Sequence, residues 1–331
     1  FNSWLTDKLI LATEPSPNIV VVGIDDETLA AYGRWADWPR ELHARAIGNL
    51  NKGGARVIGM DVLFSDTTDD DALLAAVMEE AGNVILPLVG TESQATHDST
   101  DIAYEAILPP TPLLSRASAS LGHGNILPGS DGTVRHLPLI IQDTAGHQYP
   151  AFSLAILHHH FSAPLPEDYE TTNGVLRLLN RDIPVDGNLQ YRINFAPDYH
   201  DRPYLSYRDV ISGDFDPAAV KDKIVLVGMT ATGELDKWLI PNAASKVPGV
   251  FIHATVMDNI LQQDFLAETG LMSTMLILFG LLVITAVALP RLGLRWGAVA
   301  VSAVFIGYIA SSFIAFDNGY VLNLLYPLAL L

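Results

Sequence analysis

The amino-acid sequence predicts an α/β domain with a mostly parallel sheet flanked by helices, followed by an α-helical bundle that crosses a membrane. Three observations support this fold class. Several strand-length runs are apolar throughout, which is typical of strands that are covered on both faces in parallel sheets. Amphipathic segments separate these runs, and the part from Leu271 onward is almost free of charge. The apolar runs occupy residues 19–24, 56–60, 83–89 and 223–229.

The segments between the first three runs have the features of helices. Residues 40–54 carry apolar side chains at helical spacing, with Pro39 at a position suited to a helix start and glycines at the end. Residues 69–82 begin with acidic side chains and end in Gly82, in agreement with the helix dipole and with a glycine cap. This β-α-β-α-β order predicts right-handed crossovers.

The middle of the chain predicts a smaller region that contains a hairpin. Asp131-Gly132 lies between two strand-like runs, which is a hairpin signal. Residues 249–266 predict a last amphipathic helix that leads almost directly into the charge-free part. Two short helices are also predicted, at residues 153–161 and 205–213, and a further strand at residues 188–197.

The part from Leu271 onward, which has few charged side chains, predicts three membrane-spanning helices. They are expected at residues 271–289, 296–316 and 320–331, and the third is cut short. The first is long enough to cross a hydrocarbon core of about 30 Å. Arg291 and Arg295 lie between the first two spans, so the positive-inside rule places that loop in the cytoplasm and the preceding domain outside. Core helices of a soluble protein are the alternative interpretation.

The positions of these spans divide the chain. Residues 19–266 are expected to form the extracytoplasmic domain, with the sheet, its helices and the hairpin-containing middle region. Residue 1 is not a methionine. We therefore expect residues 1–18 to be the lead-in from an N-terminal anchor helix that is missing here.

Charge and composition exclude several classes of function. The chain has 37 acidic and 19 basic side chains, a formal net charge of −18, and all of the acidic excess precedes Leu271. Binding of nucleic acid is not expected, because it depends on Lys and Arg side chains that neutralise phosphates. The chain has no cysteine, which excludes disulfides, thiol nucleophiles and cysteine-ligated metals.

Acidic side chains follow two of the predicted strands. Asp25 and Asp26 follow the first strand, and Asp61 follows the second. The carboxyl ends of parallel strands meet at one edge of the sheet, where α/β proteins bind ligands, so these three are candidate ligand-binding residues. Oxygen-rich groups suit Mg²⁺ or Ca²⁺. Asp25 and Asp61 would contribute most to such a site, but no complete metal site is predicted.

A second group of candidates follows the paired aspartates. Trp35 and Trp38 offer aromatic area and Arg40 a fixed cation near the same edge. Arg34, Trp38 and Arg40 are therefore further ligand-binding candidates. The structural alternatives are core packing of the tryptophans, and helix caps, turns or ion pairs that join the aspartates to Arg34 or Arg40.

No pattern in the sequence predicts a catalytic centre. His158, His159 and His160 are consecutive, and consecutive helical positions differ by about 100°, so the three cannot share one face as metal ligands. The motifs of serine hydrolases, phosphate-binding loops, dinucleotide-binding folds and zinc proteases are all missing from the sequence. No catalytic residue and no cofactor are predicted.

Seven segments together resemble the type-2 CHASE (CHASE2) domains, which are extracytoplasmic sensor modules of bacterial receptors. The resemblance covers nearly all of residues 15–265. It departs from the family pattern between Trp35 and Trp38, where Ala36-Asp37 replaces a single proline. The matching segments are IVVVGIDDETL from Ile19, GRWADWPR from Gly33, GARVIGMDVLF from Gly54, and residues 121–125, 131–138, 222–231 and 247–254.

This resemblance implies a receptor in the bacterial inner membrane, with residues 1–266 on the periplasmic or extracellular side. It implies an N-terminal anchor helix, three membrane helices and a cytoplasmic output domain beyond Leu331, which we expect to be a nucleotide cyclase, or else a kinase or diguanylate cyclase. A homodimer and an unidentified small-molecule or protein stimulus are the implied partners, together with the lipid bilayer. This chain itself is not expected to be an enzyme.

Two other functions remain open from the sequence. The first is a metal-dependent, phosphatase-like ectoenzyme that uses Asp25, Asp26 and Asp61. The second is a structural or assembly protein of the cell envelope that binds no ligand.

Overall fold

In the computed structural model, the described residues are 6–7, 14–93, 103–166, 168–195, 199–233, 236–241, 243, 245–288 and 291–330. Parts of three predicted features lie outside the described residues: residues 1–5 and 8–13 of the lead-in, residues 196–197 of the predicted strand, and residues 289 and 331 of the spans.

The described strands, in chain order, are β1 (Ile19–Ile24), β2 (Val57–Met60), β3 (Val84–Ser93), β4 (Ala103–Leu108), β5 (Ser120–His123), β6 (His136–Pro138), β7 (Ile140–Asp143), β8 (Gln148–Pro150), β9 (Thr171–Thr172), β10 (Val175–Leu178), β11 (Arg181–Pro184), β12 (Gln190–Arg192), β13 (Tyr204–Ser206), β14 (Ile224–Met229), β15 (Lys237–Trp238), β16 (Val247–Pro248), β17 (Ala267–Glu268) and β18 (Tyr320–Val321). The described α-helices are α1 (Asp26–Tyr32), α2 (Arg40–Lys52), α3 (Asp71–Ala81), α4 (Pro112–Ala117), α5 (Phe152–His160), α6 (Tyr207–Ser212), α7 (Gly249–Gln262), α8 (Leu271–Ala288), α9 (Leu294–Asp317) and α10 (Leu325–Leu330). Short 3₁₀ helices occupy Trp35–Asp37, Tyr199–Asp201 and Pro217–Ala219.

The main sheet has nine strands in the order β13-β1-β14-β2-β3-β4-β7-β8, with β5 paired beside β3. The pairs from β13 to β3 are all parallel, and antiparallel pairing begins where the second half of β3 meets β4. The prediction of a mostly parallel sheet flanked by helices is therefore confirmed. The sequence did not indicate that β14, which comes late in the chain, is inserted between β1 and β2.

Helices cover both faces of the sheet because successive strand residues point to opposite sides. Val22 and Ile24 of β1 face one core, which contains apolar side chains of α2, α3, α4 and α6. Ile19 and Val21 of the same strand face the other core, which contains α5 and α7. Two-sided burial explains why the strands are apolar throughout.

The predicted hairpin at Asp131-Gly132 is wrong. A turn does form there, and Gly132 has a φ of +78°, a backbone angle that glycine adopts without strain. The strand that follows, β6, instead pairs with β12 from a distant part of the chain. The described hairpins of the middle region are β7 with β8, β9 with β10, and β10 with β11. Distant pairing of this kind cannot be inferred from a local turn signal.

The C-terminal part consists of apolar helices, as predicted. One described helix, over 295–317, is long and apolar enough to cross a membrane, with a mean hydropathy of 2.1. The apolar segment 272–287 of α8 is shorter than that criterion requires. After α9, the short strand β18 pairs in parallel with β17, and α10 follows. The three-helix membrane bundle therefore remains a prediction.

Candidate functional site

The candidate site lies at the carboxyl edge of the parallel strands. Asp25 follows β1, Thr230 follows β14 and Asp61 follows β2. Because β14 lies between β1 and β2, the end of β14 separates the two aspartates. Asp25 lines one cavity at this edge and Asp61 lines another. The structure thus places the predicted aspartates on one edge but not in one site.

Asp25 acts as the N-cap of α1. Its Oδ1 accepts hydrogen bonds from the Thr28 backbone N–H at 2.9 Å and from the Thr28 hydroxyl at 2.6 Å. The hydroxyls of Ser206 and Tyr204 also donate to this carboxylate, at 3.1 Å each. Asp25 therefore joins the start of α1 to β13, which is the capping alternative considered from the sequence.

Asp26 points to a different loop. Its carboxylate accepts hydrogen bonds from the backbone N–H of Thr232 at 2.9 Å and from the Thr232 hydroxyl at 2.7 Å. These bonds favour the charged form, and they hold the pKa of Asp26 below its usual range. Asp25, Asp26 and Asp61 thus have three separate sets of contacts, which does not favour their use as one metal-dependent reaction centre.

Trp38 and Arg34 occupy contrasting environments. Trp38 is buried, and its Nε1 donates a hydrogen bond to the Gly33 carbonyl at 3.0 Å. Its ring packs edge-on against Trp35 and is stacked on Tyr207. Arg34 is exposed. The buried tryptophan fills the core beside α2, whereas the arginine lies at the surface.

Arg40 connects α2 to the segment that leads into α3. Its Nε lies 3.1 Å from Oδ1 of Asp71, and its Nη2 donates to the Asp66 carbonyl at 2.8 Å. The guanidinium also lies over the ring of Phe64, 4.7 Å from the ring centroid. Each of these contacts is to another part of the same domain, so the guanidinium is held within the fold.

The cavity at Asp61 has a volume of about 390 Å³. We call it the acidic cavity and define it by Asp61, Asp236 and His253, which all line it. Asp236 comes from the loop after β14, and His253 from the first turns of α7. The remaining wall is largely apolar and includes Trp35, Ile24, Val62, Leu63, Val89 and Ile126.

Among the described residues, the two carboxyl groups of the acidic cavity have no basic partner. Burial and, to a smaller extent, the nearby charge of Asp236 together raise the pKa of Asp61 to about 8. Burial also raises the pKa of Asp236, although hydrogen bonds from Trp238 and from the Gly249 N–H oppose this rise. The Trp238 Nε1 donates to the Asp236 Oδ1 at 2.7 Å. Two carboxyls in such surroundings retain one proton near neutral pH.

His253 adds an unusual polar group to this cavity. It is 1% exposed, and neither of its ring nitrogens has a hydrogen-bond partner among the described residues. Burial lowers its pKa to about 4, although the nearby Gly124 carbonyl favours the charged ring without making a hydrogen bond of normal geometry. His123 lies close behind and is also buried, and burial, together with the charge of His253, lowers its pKa to about 3.

The second cavity, at Asp25, has a volume of about 570 Å³ and a different character. We call it the basic cleft and define it by Arg202, Lys237 and Lys246. The Nη1 of Arg202 lies 2.5 Å from the Asp258 Oδ2, and both side chains are almost completely buried. This ion pair joins α7 to the segment before β13, so one of the three cations of the basic cleft is already neutralised.

The consecutive histidines lie at the end of α5, as the sequence predicted. The Nδ1 of His158 lies 3.0 Å from the Pro164 carbonyl, and its ring is buried. Within the part of the chain that the structure describes, no group of three or more His, Asp or Glu side chains is placed to hold a metal ion.

The sequence reasoning identified Asp61 but missed Asp236 and His253. Asp236 lies in a loop without a recognisable motif. Its carboxyl comes near Asp61 only because β14 is inserted between β1 and β2. His253 lies in the IHA segment that contributed to the family resemblance. That match is the one signal in the sequence that could have identified this histidine.

The fold and the cavities define a class of protein. An α/β domain with cavities at the carboxyl ends of its parallel strands has the arrangement of ligand-binding α/β proteins. A family model described as the CHASE2 domain matches residues 1–289, and the chain therefore belongs to the CHASE2 family. CHASE2 domains are extracytoplasmic sensor domains of signal-transduction receptors and are not catalytic. No curated protein and no solved structure matched the chain.

Proposed function

We propose that this chain is the sensory and membrane-anchoring part of a bacterial receptor in the inner membrane. In this proposal, residues 1–266 lie on the periplasmic or extracellular side, and the apolar helices pass the signal to a cytoplasmic output domain. A nucleotide cyclase is the output that we propose, with a kinase or a diguanylate cyclase as the other choices. Membership of a family of sensor domains supports the sensory role.

The observation that carries this proposal is the position of α7. The helix begins beside the acidic cavity, where Gly249 approaches Asp236, and only residues 263–270 separate its end from α8. Nearly all of its side chains are buried, and it packs against β1, β14 and α5. A rigid, packed helix that joins a cavity to the apolar helices is suited to transmit a change between two states.

The surfaces of α8 and α9 support anchoring in a lipid bilayer. Both helices expose large apolar side chains, and contiguous apolar surfaces of this kind are stable where lipid covers them. Arg291 and Arg295 lie at the connection between the helices, which supports a cytoplasmic location for that connection. Examples of the exposed apolar residues are Met272, Leu276, Phe279, Trp296, Ile306 and Ile314.

Cysteine labelling of this chain tests the orientation directly, because residues 1–331 contain no cysteine. We would introduce Asp69→Cys in an exposed loop of the domain and Leu292→Cys between α8 and α9. In intact spheroplasts, a membrane-impermeant maleimide should label only Asp69→Cys, and Leu292→Cys should react only after permeabilisation. The reverse pattern would contradict the proposed orientation.

The output and the oligomeric state require separate tests. An output domain encoded downstream of the codon for Leu331 would support the receptor, and a stop codon at that point would favour the envelope structural protein. We also propose a homodimer, because cyclase and kinase outputs commonly act in pairs. Chemical cross-linking of the full chain in membranes should yield a dimer, and a monomer at every cross-linker concentration would contradict it.

A further inference from the structure

We propose that the acidic cavity binds a small organic cation, a protonated alkylamine whose ammonium group lies between Asp61 and Asp236 and whose hydrocarbon part packs against the apolar wall. This inference names the class of stimulus and rests on the proposed sensory function for its biological meaning. It does not rest on that function for the binding itself.

The charge distribution of the cavity favours a cation. Asp61 and Asp236 both line it, and no lysine or arginine lines it among the described residues. The nearest lysine in the sequence, Lys237, lines the basic cleft instead, where its charge helps to lower the pKa of Asp26. An anion would be repelled by the carboxylates, and a neutral molecule would leave their charge unpaired.

The buried histidine is a second, independent indication of a ligand. Buried polar atoms in folded proteins nearly always have hydrogen-bond partners, so each exception needs an explanation. Both ring nitrogens of His253 are such exceptions among the described residues, and the ring lines the cavity. A neutral imidazole offers one N–H donor and one acceptor nitrogen. The ring therefore adds an unsatisfied polar group to the wall of the cavity.

The size and wall of the cavity suit an organic rather than a bare inorganic cation. Its volume of about 390 Å³ lies within the range of small-molecule sites. Ile24, Val62 and Leu63 contribute apolar wall, and Trp35 adds an aromatic ring that can attract a cation. No set of three carboxylate or imidazole groups converges closely enough for a metal ion within the described residues.

Binding is coupled to a proton in this arrangement. The two carboxyls share one proton when the cavity is empty of cations, and an ammonium that contacts both carboxylates displaces that proton to solvent. Affinity therefore increases with pH up to about 8, where Asp61 ionises. Among the described residues, the other titratable groups that face this pair are His253 of α7 and, behind it, His123 of β5, both neutral above pH 6.

The ligand would also contact the start of α7. A Cβ atom on Gly249 would lie 2.6 Å from each oxygen of the Asp236 carboxyl, so this glycine allows the carboxyl to approach the first turn of the helix. His253 lies one turn further along the same helix. A cation held by Asp236 thereby lies beside the first turn of the helix that leads to α8.

Calorimetry of the full chain in detergent micelles tests the inference with three probes of equal chain length, n-butylammonium chloride, n-butanol and sodium butyrate. We expect n-butylammonium to bind at least tenfold more tightly than the other two. Its affinity should fall by about tenfold for each pH unit from 8 to 6. Equal binding of n-butanol, preference for butyrate, or no binding of n-butylammonium up to about 10 mM would each overturn the proposal.

Variants locate the site. Asp61→Asn and Asp236→Asn should each weaken n-butylammonium binding by at least tenfold, whereas Asp26→Asn, on the same edge but outside the cavity, should leave it unchanged. Gly249→Ala displaces the Asp236 carboxyl without removing it and should also weaken n-butylammonium binding. This variant replaces the asparagine variants in the test if one of them does not fold. A correctly oriented membrane protein that binds no amine would overturn this inference alone and leave the sensory function standing.

Discussion

Arg40 and Asp71 form an ion pair between α2 and α3 in which the Nε to Oδ1 distance is 3.1 Å and both side chains are largely buried. The hydroxyls of Thr68 and Thr111 also donate to this carboxylate, at 3.0 Å each. Burial by itself raises the pKa of Asp71, but the hydrogen bonds from Arg40, Thr68 and Thr111 outweigh it and lower the pKa. The arginine that the sequence offered as a ligand-binding candidate therefore holds two crossover helices together.

Arg40→Ala is expected to destabilise the domain by about 3 kcal/mol, because Asp71 is then left buried without its charged partner. The free energy of unfolding, measured with denaturant, checks this prediction. Arg34→Ala, at an exposed arginine nearby, is the matched control and should change stability by less than about 0.5 kcal/mol. Unchanged stability of Arg40→Ala would show that the ion pair does not support the fold.

Asp61→Asn is expected to make stability less dependent on pH between pH 6 and pH 8. The folded protein holds the Asp61 proton up to a pKa of about 8, whereas the unfolded chain releases it at the ordinary value of 3.8. The stability that this proton contributes is complete below pH 3.8 and is lost as the pH rises through 8. Between pH 6 and pH 8 the loss is about 2 kcal/mol.

The asparagine side chain has no such proton to lose, so the stability advantage of Asp61→Asn should grow from pH 6 to pH 8. Unfolding curves at several pH values measure it. A constant difference across this interval would mean that Asp61 is already ionised in the folded protein.

Because three histidines are buried, we expect the folded domain to lose stability in acid. Burial lowers the pKa of His43 and His123 to about 3 and that of His253 to about 4. The unfolded chain takes up these protons below pH 6.5 while the folded protein does not, so stability falls as the pH falls from 6.5 to 4. Each histidine contributes roughly 2 kcal/mol to this loss between pH 7 and pH 5.

His123→Leu should reduce by one the number of protons taken up on unfolding in this pH range. The slope of the free energy of unfolding against pH should become smaller accordingly. Ile156→Leu, a change of shape at another buried position, is the control and should lower stability equally at every pH. If His123→Leu left the slope unchanged, the folded protein would already bind a proton at His123.

Gly228→Ala tests the contact between the sheet and α7. A Cβ atom on Gly228 would lie 2.6 Å from the Cβ of Val250, so the helix must move away from β14. We expect a loss of about 1–3 kcal/mol in stability. In a complete receptor we also expect altered resting output, because α7 is the proposed connection to the membrane helices.

Gly48→Ala is the matched control for this prediction. It lies on α2, where the new Cβ would be 4.0 Å from Val77, and the change should stabilise the helix by up to about 1 kcal/mol without altering output. A change of output of similar size in both variants would contradict a specific role for α7.

Much of the fold could be predicted from the sequence because its signals are local. Continuous apolar runs indicated β1, β2, β3 and β14, and the spacing of apolar side chains together with terminal glycines indicated α2 and α3. The hairpin prediction failed at Asp131-Gly132 because the partner of β6 lies some fifty residues further along the chain, at β12. A turn signal describes only the residues beside it.

For the candidate site, the sequence by itself determined which aspartates lie at the carboxyl edge, because Asp25 and Asp61 each directly follow a predicted parallel strand. It also determined the family, through motifs that are read without a structure. Only the tertiary structure decided which groups share a cavity. The insertion of β14 separates Asp25 from Asp61 and brings Asp236 and His253 to Asp61. The physical reason is that electrostatic coupling and burial depend on distances in space, and residues far apart in the chain set those distances.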